Sequence, residues 1–128
     1  MPIRVVRLGT ERLDGEGLRI GTVRRPPRGV RKSDYVSKNF YDVWFPNLAP
    51  SEELLKAGQA ALTEKDWKSF VRKYRKEMSA PENKRTLDLL AALSHQTSFS
   101  VGCYCGDEHR CHRSVLRELL RERGASMA

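Results

Sequence analysis

The chain has 128 residues, of which 39% are hydrophobic and 31% are charged, and its net charge is +8. This length and composition predict one ordered domain over residues 1–128, large enough to bury a hydrophobic core. No apolar run is long enough to span a membrane, and the opening residues, MPIRVVRLGT, lack a signal-peptide core. We therefore expect a soluble protein of the cytoplasm rather than a membrane-spanning or secreted one.

Two short strands are predicted near the start of the chain. Residues 3–8 (IRVVRL) are rich in β-branched side chains, and residues 18–23 (LRIGTV) place Leu18, Ile20 and Thr22 on one face. The segment that follows, RRPPRGVRKSDYVSK, contains prolines and a glycine that exclude a regular element. We expect a long basic loop there.

Three helices are predicted in the middle of the chain. Ser51 and Thr63 are favourable N-caps for a short helix and a longer one. Apolar side chains recur at helical spacing in the longer helix, at Trp67, Phe70, Val71, Tyr74 and Met78. A third helix is predicted over residues 82–95, with Leu87, Leu90, Ala91 and Leu93 toward the core and His95 as a cap or surface residue.

The chain is predicted to end in a strand, a loop and a helix. Residues 98–104 (SFSVGCY) resemble a strand, and residues 112–124 (HRSVLRELLRERG) form an amphipathic helix pattern. Its apolar stripe consists of Val115, Leu116, Leu119 and Leu120. These elements predict an α/β fold: a single compact domain with a small central sheet, amphipathic helices packed on it, and a C-terminal strand-loop-helix unit.

The stretch CYCGDEHRCHRS, residues 103–114, holds all three cysteines and two of the three histidines. An odd number of cysteines within nine residues is not a disulfide framework, and it fits a reducing compartment. The stretch joins a predicted strand to a predicted helix, which is where α/β proteins usually bind ligands. Three kinds of site are open: an anion pocket, a reactive thiol or a metal centre.

An anion pocket would use the start of the last helix. The first N–H groups of a helix have no intrahelical acceptor, and Arg113 and Ser114 add further donors there. The alternative is that Arg113 only pairs with Glu118 or Asp107 at the surface.

A reactive thiol would most simply be Cys111, near the helix start and flanked by arginines that lower a thiol pKa. Adjacent residues at a helix start rarely face each other, so His109 in the loop is a better base for Cys111 than His112. The spacing excludes a phosphatase loop, because the sixth residue after Cys105 is Cys111 and not an arginine. Cys103 fits a small buried residue on a core strand.

A metal centre would draw on Cys103, Cys105, His109 and Cys111, with His112 as a further donor. Zinc needs four such ligands, but C-x-C followed by C-x₅-C is an unusual ligand spacing. We expect no cofactor, with zinc as the alternative.

The distribution of charge favours a phosphate-bearing partner. Residues 1–50 carry ten Lys or Arg against five Asp or Glu, and several of these cations lie in the basic loop. If the second and last strands run parallel, this loop and the cysteine-rich turn share one rim of the sheet. The predicted ligand-binding residues are Arg25, Arg28, Cys105, His112, Arg113 and Ser114.

The ligand would be a nucleotide or nucleic acid, with Tyr35, Phe40 and Tyr41 available for stacking. Three alternatives remain open: a basic surface kept for solubility, a thiol- or metal-dependent enzyme using Cys111 with His109 or His112, and a non-catalytic protein-interaction domain.

Several motifs together resemble the YeaO-like proteins, domain of unknown function family 488. They are PRG (27–29), D-x-W (42–44), LAPSEELLK (48–56), W-x-x-F-x-x-x-Y (67–74) and CHRSVLRELL (111–120). The resemblance runs over nearly the whole chain and implies a compact α/β domain of bacterial or archaeal type. It brings no established activity, substrate or cofactor. Where many members have an Asp-Arg-Leu-Trp-Pro-Arg-Gly run, this chain has TVRRPPRG, whose extra arginines favour anion binding.

Overall fold

The structure, a computed structural model, describes residues 2–61, 63–107 and 110–128. Strands β1 (Ile3–Arg7), β2 (Leu18–Gly21), β3 (Val43–Trp44) and β4 (Phe99–Cys103) form one sheet. The order is β1-β4-β2-β3, and every neighbouring pair is parallel. The predicted α/β fold and its three strands are confirmed. β3 was not predicted, because two exposed residues carry no alternating pattern.

Four helices occur in the described part of the chain: α1 (Glu52–Gln59), α2 (Glu64–Met78), α3 (Pro81–Leu93) and α4 (His112–Glu122). Short 3₁₀ turns cover Lys32–Asp34 and Pro46–Leu48. The predicted caps are present: the Ser51 hydroxyl accepts from the Leu54 N–H, and the Thr63 hydroxyl accepts from the Asp66 N–H. Within these ranges, no helix combines the length and apolar character needed to cross a bilayer.

The helices bury one face of the sheet. Their apolar stripes meet Ile3, Phe99 and Val101 of the strands in one core. The helical members of this core include Leu54, Phe70, Tyr74, Met78, Leu87, Leu90, Val115, Leu116, Leu119 and Leu120. The predicted stripes are therefore confirmed with one correction. Leu93 is 38% exposed, because the buried stripe of α3 continues from Leu90 to Ser94 instead.

The other face of the sheet holds a buried ion pair. Arg19 is fully buried and binds the Glu16 carboxylate through Nε and Nη2 at 2.9 and 3.0 Å, while Nη1 donates to two backbone carbonyls. Ser100 on β4 donates to the same carboxylate. Leu18 is 48% exposed although it shares the core-facing side of β2 with Ile20, and Arg19 on the opposite side is fully buried.

The carboxyl ends of β1, β2 and β4 lie side by side at one rim. Backbone hydrogen bonds continue past the strands, from Leu8 N to Cys103 O at 2.8 Å and from Thr22 N to Gly102 O at 2.9 Å. All five residues of β4 are buried, so the chain leaves the sheet at its centre before it reaches α4. This rim brings the cysteine-rich turn next to the start of the basic loop.

Candidate functional site

Three thiols gather where β4 ends and α4 begins. Cys103 is the last residue of β4 and Cys111 is the N-cap of α4; each is 2% exposed, and their sulfur atoms lie 2.7 Å apart. Cys105, in the turn between them, is exposed. Leu8, Val23 and Tyr41 complete a small apolar cluster around the buried pair. Only one of the three sulfurs therefore belongs to a solvent-exposed residue.

The three thiols differ in acidity. Hydrogen bonds from Cys103 and then from Cys111 are the main causes that hold the pKa of Cys105 well below its usual range; burial opposes them, and the positive charge of Arg113 adds a smaller lowering. The hydrogen bond to Cys105 raises the pKa of Cys103, and burial adds to this. The hydrogen bond with Cys103 lowers the pKa of Cys111, but the bond to Cys105 and burial outweigh it, and the pKa rises to about 11. The exposed cysteine is therefore more acidic than either of the two buried ones.

His112 is buried behind the thiols. Its Nε2 lies 2.8 Å from the carbonyl oxygen of Thr22, and its Nδ1 lies 3.7 Å from the Cys111 sulfur. Burial lowers the pKa of the imidazole to about 4, so the ring is neutral at pH 7. The expectation that these adjacent residues would not face each other was wrong, because the extended N-cap turns the Cys111 side chain toward the ring. The other candidate base, His109, lies outside the described residues.

Arg113 is buried at the same point. It is 4% exposed, and its Nη2 donates to the carbonyl oxygen of Cys105 at 2.7 Å. Its Nε has no hydrogen-bond partner among the described residues. The alternative of a surface pair with Glu118 was wrong, since Glu118 pairs with Arg121. Arg113 thus binds the backbone of the turn that carries Cys105 and places its positive charge beside that residue.

Ser114 is only half-buried and serves the helix start. Its hydroxyl donates to the carbonyl oxygen of Cys111 at 2.9 Å, which occupies the one proton that it could donate to an anion.

The basic loop reaches the cysteine-rich turn through its backbone. The Tyr104 hydroxyl donates to the carbonyl oxygen of Arg25 at 2.8 Å. The Arg25 guanidinium instead pairs with Glu52 at 2.8 Å, and Arg24 donates to backbone carbonyls that precede α1. Arg28 is exposed. Of the two basic-loop arginines predicted for the site, Arg25 thus pairs with Glu52 of α1, and Arg28 is exposed to solvent.

The aromatic residues near the loop pack on one another. Tyr41 is 4% exposed and meets Tyr35 edge-on with ring centres 5.3 Å apart, and Phe40 meets Tyr104 at 6.3 Å. The Tyr41 hydroxyl is buried with no partner in the described ranges. A buried ring cannot stack on a base without first moving, so Tyr41 is not a ready stacking platform.

A soft metal ion would find its ligands at Cys103, Cys111 and His112, whose ligand atoms all lie within 4.8 Å of one another. With zinc–sulfur bonds of about 2.3 Å, a tetrahedral site holds two sulfurs about 3.8 Å apart. The Cys103 and Cys111 sulfurs are closer than this, at 2.7 Å. The pair would have to separate to bind zinc.

Two features of the site were not predicted. The Thr22 carbonyl that holds His112 comes from the end of β2, and a backbone contact of this kind leaves no trace in the sequence. The burial of Arg113 could have been predicted from the sequence. Arg113 lies three residues before Leu116 and seven before Leu120, so it belongs to the buried stripe of α4. That spacing would have distinguished it from a surface arginine.

A family model described as "Active DUF488-N3 subclade" matches residues 3–124, which include every element of the sheet and the whole cysteine-rich turn. No significant match was found among curated proteins or among solved structures. The matched region agrees with the resemblance of the motifs to the YeaO-like proteins. This chain belongs to the domain of unknown function 488 family.

Proposed function

We propose that this protein is a thiol-dependent enzyme whose nucleophile is Cys105. The observation that supports this most directly is the division of the three cysteines into one exposed thiol and two buried ones whose sulfur atoms lie 2.7 Å apart. The family model that matches the chain is described as active, without a named activity. A cytoplasmic, reducing environment would keep the three cysteines in their thiol form.

Cys105 replaces Cys111 as the candidate nucleophile for two reasons. The Cys111 sulfur belongs to a residue that is 2% exposed, so a substrate could not reach it without opening the turn. Its raised pKa also keeps it protonated at neutral pH, whereas the thiolate is the reactive form of cysteine. Cys105 has the opposite properties in both respects.

In this proposal the Cys105 thiolate forms a bond to an electrophilic atom of the substrate, and the leaving group departs with its electron pair. Arg113 and the two buried thiols lower the free energy of the resting thiolate. The neutral imidazole of His112 serves as a positioning residue, because its Nδ1 faces Cys111 and its Nε2 is bonded to Thr22.

Competitive alkylation tests the proposal. Reduced protein is treated with limiting iodoacetamide at pH 7, and the labelled cysteines are identified by peptide mass spectrometry. We expect Cys105 to be labelled faster than a free thiol, with Cys103 and Cys111 protected. Cys105→Ser should abolish the fast phase, whereas Cys111→Ser should keep it with a lower rate. Equal labelling of all three cysteines, or a slow Cys105, contradicts the proposal.

A bound metal would also protect thiols, so the alkylation is repeated after treatment with a chelator and paired with elemental analysis. We expect the labelling pattern to stay the same and the zinc content to be far below one ion per chain. Stoichiometric zinc with labelling only after chelation would replace the enzyme proposal by a metal centre.

A second candidate is binding of a phosphate-bearing ligand, a nucleotide or nucleic acid, at the basic loop and the turn. The buried Arg113, whose Nε has no hydrogen-bond partner among the described residues, favours it, as do the exposed cations Arg28, Arg31 and Lys32. A thermal-shift screen with nucleotides and short oligonucleotides at two salt concentrations tests it. Stabilisation should weaken with salt and be reduced in Arg28→Ala and Arg113→Ala. No stabilisation at low salt contradicts this candidate.

A further inference from the structure

A nucleophilic cysteine needs no additional thiols, yet this site has two more beside it. The sulfurs of Cys103 and Cys111 are 2.7 Å apart, against about 2.05 Å in a disulfide bond. Cys105 is the exposed cysteine of the turn that joins them, two positions after Cys103. A bond formed at the surface sulfur can therefore be transferred inward to two thiols that already lie close together.

We propose that this site performs thiol–disulfide exchange on small anionic disulfides, with Cys105 as the attacking thiol and Cys103 and Cys111 as the pair that ends as a disulfide. The inference rests on the proposed role of Cys105 as nucleophile and names the substrate class for it. It also gives the two buried thiols a chemical role, which a reaction at Cys105 alone would not require.

The steps balance in atoms and electrons. The Cys105 thiolate attacks one sulfur of the substrate disulfide, forms a mixed disulfide and releases one substrate thiolate. A buried thiol, Cys111 or Cys103, gives up its proton and attacks the Cys105 sulfur, which releases the second substrate thiol. The remaining buried thiol then attacks its partner and frees Cys105. Overall, the substrate disulfide is reduced to two thiols and the buried pair is oxidised.

The charges around the turn favour an anionic substrate. Arg7 is exposed at the end of β1, and its Nε donates to the carbonyl oxygen of Tyr104 at 3.3 Å. Arg113 donates to the carbonyl oxygen of Cys105 from the other side. Two guanidinium groups therefore contact the short segment that carries the nucleophile. A disulfide with carboxylate groups would be attracted there, and one with ammonium groups would be repelled.

Oxidised glutathione and cystamine provide the test, since they are small disulfides of opposite charge. Reduced protein is mixed with each under anaerobic conditions, quenched with acid, alkylated and digested with trypsin. Cleavage after Arg110 separates Cys111 from the other two cysteines, so a bridge links residues 86–110 to residues 111–113. Fragmentation then assigns the bridge to Cys103 or Cys105. We expect oxidised glutathione to yield a Cys103–Cys111 bridge with Cys105 free and no retained glutathione.

Variants locate each step. In Cys105→Ser the loss of thiols should be slower, because only the two buried thiols remain to react with the disulfide. The double variant Cys103→Ser with Cys111→Ser should stop at the glutathione mixed disulfide on Cys105. Arg7→Ala should slow the reaction with oxidised glutathione on the order of tenfold and speed the reaction with cystamine, because the cation that attracts one and repels the other is lost.

The outcomes separate this inference from the proposed function. In one possible outcome, Cys105 is alkylated fast in the first experiment while, in the other, wild type stops at a stable mixed disulfide with Cys103 and Cys111 still reduced. That pair of results overturns the exchange reaction but not the role of Cys105 as nucleophile. A Cys105 that reacts with neither reagent overturns both. Equal rates with oxidised glutathione and cystamine overturn the choice of anionic disulfides.

Discussion

The imidazole of His112 joins the start of α4 to the end of β2 through a 2.8 Å hydrogen bond between Nε2 and the carbonyl oxygen of Thr22. A carbonyl oxygen only accepts, so the proton of the neutral ring is on Nε2. The unprotonated Nδ1 then faces the sulfur of Cys111 at 3.7 Å. One neutral side chain thus connects the central sheet to the buried thiol pair.

This contact predicts a pH-dependent stability. The folded-state pKa of His112 is about 4, while an unfolded histidine has a pKa near 6.5. On acidification the unfolded chain takes up the proton first, so stability is lost as the pH falls from about 6.5 toward about 4. The free energy of unfolding should drop by about 1.4 kcal/mol per pH unit in that window.

Urea denaturation at pH 7, 6 and 5 measures this slope above the range in which most carboxylates titrate. His112→Gln keeps a polar side chain but cannot be protonated, so its free energy of unfolding should change much less between pH 7 and pH 5. Equal slopes in wild type and variant would show that His112 does not titrate as described.

The buried Arg19–Glu16 pair predicts a large loss of stability when one partner is removed. Glu16→Gln leaves the guanidinium without its charged partner in a fully buried position, which should lower the free energy of unfolding by about 3–5 kcal/mol. Asp88→Asn is the control, because Asp88 is 68% exposed in its pair with Arg123 and should cost less than about 1 kcal/mol. Similar losses for the two variants would contradict the assignment.

The Tyr41 hydroxyl is buried without a partner in the described residues, so Tyr41→Phe should not weaken the fold. Removing an unsatisfied polar group is expected to raise the free energy of unfolding by about 1 kcal/mol. In the matched control, Tyr74→Phe removes a 2.6 Å hydrogen bond to the Leu48 carbonyl and should cost about 1–3 kcal/mol. A clear loss of stability in Tyr41→Phe would mean that its hydroxyl is bonded in solution.

Much of the fold follows from local patterns in the sequence. The caps at Ser51 and Thr63 and the apolar stripes of α2 and α4 depend on spacing within one element, which the sequence displays directly. β3 and the inward position of Arg19 depend instead on contacts between distant segments. A two-residue edge strand is too short to show a hydrophobic period. An arginine is expected to be exposed unless a buried carboxylate partner is known.

The candidate site likewise has features that the sequence predicts and features that depend on folding. The sequence located the cysteine-rich turn, because strand, turn and helix patterns surround it. It did not distinguish the roles of the cysteines, since Cys105 and Cys111 differ through burial and through hydrogen bonds formed after folding. Arg113 and Arg25 were grouped together by charge, yet one is buried beside the thiols and the other pairs with Glu52.

If Cys105 is a thiolate at neutral pH, as we propose, the pH profile of its alkylation shows it. The rate of iodoacetamide labelling at Cys105 is followed by mass spectrometry from pH 5 to pH 9 in wild type, Arg113→Met and Arg25→Met. The wild-type rate should be nearly constant above pH 6, and Arg25→Met should match it. Arg113→Met should move the midpoint upward, because a positive charge beside the thiolate is lost. A wild-type rate that rises about tenfold per pH unit toward a midpoint near 8.5, as for an ordinary thiol, would show that Cys105 is protonated at neutral pH.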